Sequence, residues 1–390
     1  MQQVWMFSAT QALCMSGSFL IVLLGGIIGS ELAPAPSLAT LPVSVLILGL
    51  ATSVVPAGAL IRRYGRRVIF IASALLAGLG CVVAGLAIAA AGFWMFCAAA
   101  FLLGANNAMV MQYRFAAIEC VEPEFASKAI AVVMSGALAA AWLGPEIAVR
   151  AADLVEGARY AGSFFAGTGL YAIAALMLAC TRDSTHAASA DVRPPRRLTE
   201  IAAQADFRIA VLAALVSYAV MSFIMTATPI SMHVVDLHDE VATKQVIQGH
   251  LLAMYLPSLA SGWIIARFGT RPVIVAGALL MSGCIVIAAY GGHAVLHYGW
   301  ALVLLGAGWN LLFIAGTTLL TQTYRPHERI QVQTLNDFMV FGAQATASLL
   351  AGYALASIGW ERLNLTTLPL LATVLLAVAL GARRRRAREA

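Results

Sequence analysis

Long, uninterrupted apolar runs recur along the whole chain, and they restrict its fold more than any other feature of the sequence. Each run holds about 20 residues, which is the length that an α-helix needs to cross the hydrocarbon core of a bilayer. The apolar residues follow one another without the period-two alternation of membrane β-strands, so a barrel is excluded. We therefore expect the 390-residue chain to be an all-α, polytopic membrane protein.

The composition excludes a water-soluble enzyme. The chain is 61% hydrophobic and 11% charged, whereas soluble proteins average about 45–50% apolar and about 25% charged residues. The sequence has no G-x4-G-K-[ST] phosphate loop, so ATP-driven pumping is not supported and a secondary transporter without a prosthetic group is expected. The six cysteines occur singly in or beside apolar runs and are interpreted as small apolar filler.

Twelve transmembrane helices are predicted from the distribution of apolar residues. Polar, proline-rich or charged connectors separate them, and the longest connector carries Pro194 and Pro195 near the middle of the chain. The predicted spans are 4–29, 38–61, 68–91, 93–114, 128–149, 162–181, 207–230, 245–267, 272–291, 297–320, 333–356 and 363–382. We expect an N-terminal six-helix half at 1–181, a cytoplasmic linker at 182–206, a C-terminal six-helix half at 207–382 and a basic tail at 383–390.

Lysine and arginine concentrate on one side of these spans. With a cytoplasmic N-terminus, 20 of the 24 Lys and Arg residues lie on the inner side, and only Arg150, Arg159, Lys244 and Arg362 lie outside. Cytoplasmic loops carry the excess of Lys and Arg, so both termini are predicted to be cytoplasmic. The Arg383–Arg386 run is interpreted as an anchor on lipid headgroups rather than a nucleic-acid site.

A repeated loop motif divides the chain into two related halves. The pattern Gly58-x4-Arg63-x-Gly65-x-Arg67 follows span two, and Gly262-x4-Arg267-x-Gly269-x-Arg271 follows span eight. Parallel six-helix halves related in this way resemble the major facilitator superfamily, whose substrate site lies between the halves near the middle of the membrane. The first copy is similar to the GxxxDRxGRR loop of that superfamily, with Arg62 in place of the usual Asp. The resemblance implies gating roles for Arg63, Arg67, Arg267 and Arg271.

Two pairs of metal-ligand type occur on spans seven and eight. Met221 and Met225 form an MxxxM pair, and His250 and Met254 form an HxxxM pair. Residues four apart share a helix face. Spans seven and eight are expected to be antiparallel neighbours in contact, which places Met221 level with Met254 and Met225 level with His250. Thioether and imidazole ligands suit Cu(I). Methionine is also a common core filler, and His250 could couple transport to protons instead.

Other polar residues near the spans suggest further roles. Met232, His233 and His238 in the outer loop form a candidate capture site, although a solvated turn is the favoured interpretation. Glu146 on span five and Asp337 on span eleven are candidate proton-coupling or gating sites. Span four carries Asn106, Asn107, Gln112, Tyr113 and Arg114, and span ten carries Trp309 and Asn310. Asn107, Gln112, Tyr113, Trp309 and Asn310 could bind a planar organic solute, or these groups could serve only hydrogen bonding between helices.

The C-terminal half carries a closer resemblance. The stretch from Met232 through His250, Met254 and Gly269, with Gly306-Ala-Gly308-Trp309-Asn310, Tyr324-Arg325-Pro326-x-Glu328-Arg329 and Gln333-x-x-Asn336-Asp337-Phe338, resembles the CcoA-like branch of bacterial facilitators. The resemblance implies copper import across the inner membrane for cytochrome oxidase assembly, with Met221, Met225, His250 and Met254 as ligands. It also implies a cytoplasmic copper chaperone as a candidate partner.

The branch also contains riboflavin importers, so several cargoes remain open. The main expectation is a Cu(I) importer working by alternating access. An importer of riboflavin or another planar organic solute is the first alternative, and a proton-driven multidrug exporter is the second. A non-transporting receptor or assembly factor belongs to a different class and is disfavoured, because no accessory domain is present to signal with.

Overall fold

The computed structural model describes residues 1–122, 125–181, 196–325 and 328–389, and every described element is helical. Most of the expected linker, including Arg193, Pro194 and Pro195, lies outside the described residues, as does the last residue of the basic tail. The helices are α1 (Gln2–Leu32), α2 (Leu41–Tyr64), α3 (Arg66–Ala89), α4 (Phe93–Val110), α5 (Tyr113–Ile118), α6 (Ala126–Arg150), α7 (Ala161–Ala179), α8 (Leu198–Ala202), α9 (Ala205–Pro229), α10 (Glu240–Tyr255), α11 (Ser258–Phe268), α12 (Thr270–Tyr290), α13 (Val295–Thr321), α14 (Arg329–Leu365) and α15 (Leu368–Glu389).

The described helices make twelve membrane spans, because one span is divided between two helices and one long helical stretch holds two spans. Ten continuous helical stretches are long and apolar enough to cross a bilayer, and α10 and α11 form an eleventh span bent by 43°. The stretch 331–382 is 52 residues long, about twice the length of a single span. It contains Gly359 at φ 76° and ψ 174°, a backbone conformation outside the helical region. Spans eleven and twelve therefore meet at Gly359.

The same glycine conformation marks the repeated loop motif. Gly65 between α2 and α3 and Gly269 between α11 and α12 both have φ 83°, with ψ 157° and 164°. Residues with a Cβ rarely adopt this region, so glycine allows each span to turn tightly into the next. The two copies of the motif are thus structurally equivalent turns.

Close helix packing within each half depends on a matching glycine. A Cβ added at Gly104 of α4 would overlap the carbonyl oxygen of Leu46 on α2. A Cβ added at Gly306 of α13 would lie 2.6 Å from the carbonyl oxygen of His250 on α10. Small residues of this kind let membrane helices approach closely. The α2–α4 contact of the first half thus corresponds to the α10–α13 contact of the second.

Polar contacts join the two halves on the outer side of the membrane. Glu240, Lys244 and Gln248 lie four residues apart and share one face of α10. Glu240 accepts a hydrogen bond from the Tyr160 hydroxyl before α7, Lys244 Nζ lies 2.9 Å from Glu146 Oε2 of α6, and Gln248 Nε2 lies 3.0 Å from the Trp142 carbonyl. This row of three α10 residues is called the outer clamp below. The outer side is closed in this structure.

The ion pairs at the cytoplasmic end stay within one half, among the residues that the structure describes. Arg66 pairs with Glu119 in the first half at 2.5 Å. In the second half, the Arg196 guanidinium lies 2.7 Å from the fully buried Glu328 carboxylate and holds its pKa well below the usual range. This pair fixes the C-terminal end of the linker to the second half.

The four arginines expected to gate make contacts of several kinds. Arg67 donates to the Ala179 carbonyl at the end of α7, and Arg271 lies 2.5 Å from Asp206 at the start of α9. The Arg63 guanidinium lies over the ring of its neighbour Tyr64, and Arg267 is exposed. Arg67 and Arg271 therefore tie each loop motif to the sixth or first helix of its own half.

Candidate functional site

His250 is the most distinctive of the four expected metal ligands. Its side chain is fully buried, and Nδ1 lies 2.8 Å from the carbonyl oxygen of Leu302 on α13. Nδ1 therefore carries the proton and donates it, which leaves the lone pair on Nε2. Nε2 has no hydrogen-bond partner in the structure. A neutral imidazole oriented in this way has the tautomer of a metal ligand.

The helices that carry the four ligands do not pack directly on each other as neighbours. Helix α9, with Met221 and Met225, packs against α13 and α14. Helix α10, with His250 and Met254, packs against α13 and α6. The expected antiparallel contact between these two spans is therefore wrong, because α13 supplies the shared neighbour. All three methionines are buried in the apolar core.

The expected outer capture residues bond mainly to backbone. His233 Nδ1 lies 2.9 Å from the His238 carbonyl, and His238 Nε2 lies 2.6 Å from the His293 carbonyl. Met232 is fully buried. In the described parts of the chain, no three His, Cys, Asp or Glu side chains converge in an arrangement that could hold a metal. These residues instead form the hydrogen-bonded outer turn of the second half.

His293 links three outer segments, a role that sequence analysis missed. Its Nδ1 lies 2.7 Å from Asp236 and its Nε2 lies 2.7 Å from Glu361. Only a protonated imidazole can donate from both nitrogens. The bond to Asp236 does most to raise the pKa of His293 above its usual value, and the bond to Glu361 adds to it.

The two acidic residues expected to couple or gate lie at opposite ends of the boundary between the halves. Glu146 belongs to the outer closure, where it pairs with Lys244 of the other half and with Arg150 of its own helix. Asp337 lies two turns into α14 from the cytoplasmic end and is partly exposed. It accepts a 3.2 Å hydrogen bond from Asn336.

A cluster of aromatic rings is formed by helices α9, α13 and α14 of the second half. Tyr218 of α9 lies at its centre, with ring centroids 5.1 Å from Trp309, 5.0 Å from Phe313 and 5.7 Å from Phe341. Trp309 and Phe313 of α13 stack at 5.5 Å with planes 14° apart. Tyr218 and Phe313 remain partly exposed. These four residues are called the aromatic cluster below.

One face of α14 carries this cluster to the boundary between the halves. Asp337, Phe341, Gln344 and Ser348 follow at spacings of four, three and four, so they share a face. Ser348 Oγ lies 3.0 Å from Ser44 Oγ of α2, which proves that this face is directed at the first half. The Oε1 atom of Gln344 is buried without a hydrogen-bond partner.

The first half contributes an apolar wall and a cation opposite this face. Leu50, Ala51 and Val54 of α2 and Met111 after α4 pack on the group that contains Phe341 and Tyr218. Arg114 follows Met111 by three residues, near the break between α4 and α5. The two halves therefore meet at aromatic and aliphatic side chains, with Arg114 and Asp337 on the cytoplasmic side of the contact.

Two of the expected organic-solute contacts lie on α13. Trp309 belongs to the aromatic cluster, and its Nε1 is buried without a partner. Asn310 Nδ2 donates to the Met254 carbonyl and to Ser258 Oγ, both at 2.6 Å, while its Oδ1 has no partner. Because Pro257 interrupts the helical hydrogen bonds, Asn310 stabilises the bend between α10 and α11.

The expected contacts on span four have different surroundings. Asn107 accepts a 2.8 Å hydrogen bond from Ser18 of α1. Tyr113 is fully buried in the first half between Phe7 and Phe70, so the structure does not bring it to the boundary. Gln112 lies partly exposed at the break before α5.

The comparisons with known proteins identify the class. The sequence profile of the Major Facilitator Superfamily matches residues 6–261 and 210–390. The chain belongs to that superfamily: it is a multi-pass inner-membrane transporter of bacteria and not an enzyme. Superfamily membership is thereby confirmed, whereas the copper cargo stays a prediction.

Among its relatives is the riboflavin transporter RfnT of Brucella anthropi, which is 37% identical over 97% of this chain and 95% of that protein. The uncharacterised MFS-type transporter YdeG of Bacillus subtilis is 26% identical over 88% of this chain and 83% of its own length. In fold, the chain is similar to a bacterial homologue of the human lysosomal transporter Spinster in an inward-facing, occupied conformation. That match has a TM-score of 0.75 and 15% identity, covering 98% and 96% of the two chains. The nucleoside transporter NupG matches with a TM-score of 0.73, 12% identity and coverage of 97% and 98%.

Proposed function

We propose that this protein imports riboflavin or a closely related flavin into the cytoplasm by alternating access. The observation that carries the proposal is the aromatic cluster at the boundary of the halves, where superfamily members bind substrate. The relative named as a riboflavin transporter spans nearly the whole chain at 37% identity. A planar organic cargo, the first alternative from the sequence, is therefore preferred to copper.

The ring geometry suits a flat heteroaromatic cargo. Edge-to-face rings around Tyr218 and the stacked pair of Trp309 and Phe313 offer faces and edges to a planar solute. An aromatic contact of this kind contributes about 0.5–1.5 kcal/mol beyond the burial of apolar area. A flavin has three fused rings and could contact several members of the cluster at once. Stacking on these rings would then contribute much of the affinity.

Unpartnered polar groups supply hydrogen bonds for such a cargo. Trp309 Nε1 is a donor, and Gln344 Oε1 and Asn310 Oδ1 are acceptors, all buried without partners. A buried polar group left unsatisfied costs about 1–3 kcal/mol, so a ligand that satisfies it gains that amount. The heteroatoms of a flavin ring and the hydroxyls of its sugar chain include both donors and acceptors.

Uptake of radiolabelled riboflavin by cells lacking their own importer tests the proposal. The test variant is Tyr218→Leu, which removes the ring at the centre of the cluster. The matched control is Tyr353→Leu, because Tyr353 is an exposed tyrosine on α14. We expect riboflavin-dependent uptake with the wild type and the control, and at least a fivefold loss with Tyr218→Leu. Absence of uptake by a wild-type protein present in the membrane would overturn the proposal.

Copper import is the second candidate, and one observation favours it. His250 Nε2 is buried, unpartnered and in the tautomer of a ligand. If copper is the cargo, Met221→Leu with Met254→Leu removes two thioethers at nearly constant volume and abolishes copper accumulation. The same double variant leaves riboflavin uptake close to wild type if flavin is the cargo. A cytoplasmic copper chaperone is a partner only under the copper reading.

A further inference from the structure

We propose that Arg114 and Asp337, one from each half, recognise the imide edge of the cargo ring. An imide presents an N–H with one carbonyl oxygen on either side. This inference rests on the proposed flavin transport. Arg114 would donate to a carbonyl oxygen, and Asp337 would accept from the imide N–H. The pair would thus specify a cyclic imide rather than any flat aromatic molecule.

Arg114 has no ion-pair partner among the residues that the structure describes. Its Nε is buried and has no hydrogen-bond partner, and its guanidinium makes no ion pair with any described residue. Within the described ranges, its guanidinium contacts the ring of its own neighbour Phe115, at 4.8 Å. A guanidinium has five N–H donors in a planar fork. A side chain of this kind, partly buried in a membrane protein, is expected to serve a ligand or a partner.

Asp337 is the complementary group on the other half. It lies one turn from Phe341 on the face of α14 that is directed at the first half, so it borders the aromatic cluster. Among the described residues it accepts one hydrogen bond, from Asn336, which leaves most of its acceptor capacity unused there. A carboxylate accepts an N–H more strongly than a neutral oxygen does, by about a factor of two.

The two charges interact with each other and with Tyr218 without forming a direct bond. Arg114 and Asp337 lie near enough for each charge to act on the other and on Tyr218, although no ion pair joins the two charges in the structure. The charged pair and the ring at the centre of the cluster therefore share one neighbourhood. A ring stacked on the cluster would direct one polar edge between the two charges.

This arrangement distinguishes two parts of the imide. The N–H is the only donor on that edge, so blocking it with a methyl group removes the bond to Asp337 and leaves that carboxylate unsatisfied. The carbonyl oxygens are unchanged by methylation, so the contribution of Arg114 is the same for both compounds. Discrimination against an N-methyl imide therefore depends on Asp337, whereas overall affinity depends on both residues.

The test compares the uptake of riboflavin with that of 3-methylriboflavin, in which the imide nitrogen carries a methyl group. With the wild type we expect at least a tenfold preference for riboflavin, the size of one lost hydrogen bond to a charged group. Asp337→Leu should reduce the preference to below threefold. Arg114→Met should slow the uptake of both flavins while keeping the preference. If Asp337→Leu fails to reach the membrane, Asp337→Asn should reduce the preference in the same direction, because the charge is lost.

The outcomes separate the two proposals. Riboflavin uptake with an unchanged preference in the Asp337 variants would overturn the imide inference and leave flavin transport standing. Equal uptake of both flavins by the wild type would do the same. Absence of uptake of either flavin would overturn flavin transport itself.

Discussion

Lys244 Nζ lies 2.9 Å from Glu146 Oε2, and this contact joins α10 of one half to α6 of the other. Both side chains are largely buried, at 12% and 13% exposed. Glu240 and Gln248 make their own contacts to the first half one turn away on either side. The outer clamp must separate whenever the substrate site opens outward.

Breaking the ion pair of the clamp should favour the outward-open state. Lys244→Met removes the charge that pairs with Glu146 across the boundary. Ser44 lies inside the closed outer side. A cysteine placed at Ser44 should therefore react several-fold faster with an impermeant maleimide in the Lys244→Met variant than in the wild type. The matched control is Arg150→Met, because Arg150 binds the same Glu146 from its own helix. An equal increase in both variants would show that the crossing bond does not hold the outer side closed.

The indole N–H and the ring face of Trp309 should contribute separately. Trp309→Phe keeps a ring beside Phe313 but removes the unpartnered Nε1 donor. We expect the KM for riboflavin to rise about fivefold with Trp309→Phe, from one lost hydrogen bond of about 1 kcal/mol. Trp309→Leu should raise it further, because it also removes the ring. Measured KM values that do not differ between the two variants would argue against stacking at this position.

His293 should stabilise the outer turns only while it is protonated. Its pKa is raised by Asp236 and Glu361, so the stabilisation is fully present below its usual value, about 6.5. The stabilisation is lost as the pH rises through the raised value. The melting temperature of the wild type should exceed that of His293→Gln at pH 6, and the difference should shrink towards pH 9. The control is His297→Gln in the first turn of α13, because the ion pairs to Asp236 and Glu361 are made by His293. A constant difference for His293→Gln would contradict the assignment.

The glycines at helix crossings should be required for packing. Gly104→Ala places a methyl group against the Leu46 carbonyl, so the melting temperature in detergent should fall by several degrees. Gly169 on α7 has open space around its Cβ position, so Gly169→Ala should leave stability unchanged or raise it slightly. A Gly104→Ala variant with an unchanged melting temperature would show that α2 and α4 can move apart without loss of stability.

Sequence alone predicted the twelve spans, because the cost of burying polar backbone in lipid forces continuous apolar helices. The repeated turns at Gly65 and Gly269 could also be predicted, since the same spacing recurs in both halves. The lack of close packing between α9 and α10 could not be predicted, because neighbours along the chain need not be neighbours in the bundle. Helix α13 approaches α10 closely at Gly306 and α9 closely at Gly316, and no periodicity reveals either contact.

The candidate site was predicted only in part for a similar reason. Trp309 and Asp337 stood out as polar or amphipathic residues within apolar helices. Tyr218, Phe313 and Phe341 are also apolar enough to be ordinary core residues, and only their ring contacts set them apart. The spacing from Asp337 to Ser348 was present in the sequence, but its direction became known only from the bond between Ser348 and Ser44.

Riboflavin binding to the purified protein tests the central claim most directly. Flavin fluorescence should be quenched on binding between the aromatic rings, so titration measures affinity and stoichiometry without transport. The proposed flavin site should give saturable binding of one flavin per chain, weakened at least fivefold by Tyr218→Leu and unaffected by Met221→Leu with Met254→Leu. A folded protein that shows no saturable quenching, or whose binding is lost in the methionine variant and kept in the Tyr218 variant, would contradict it.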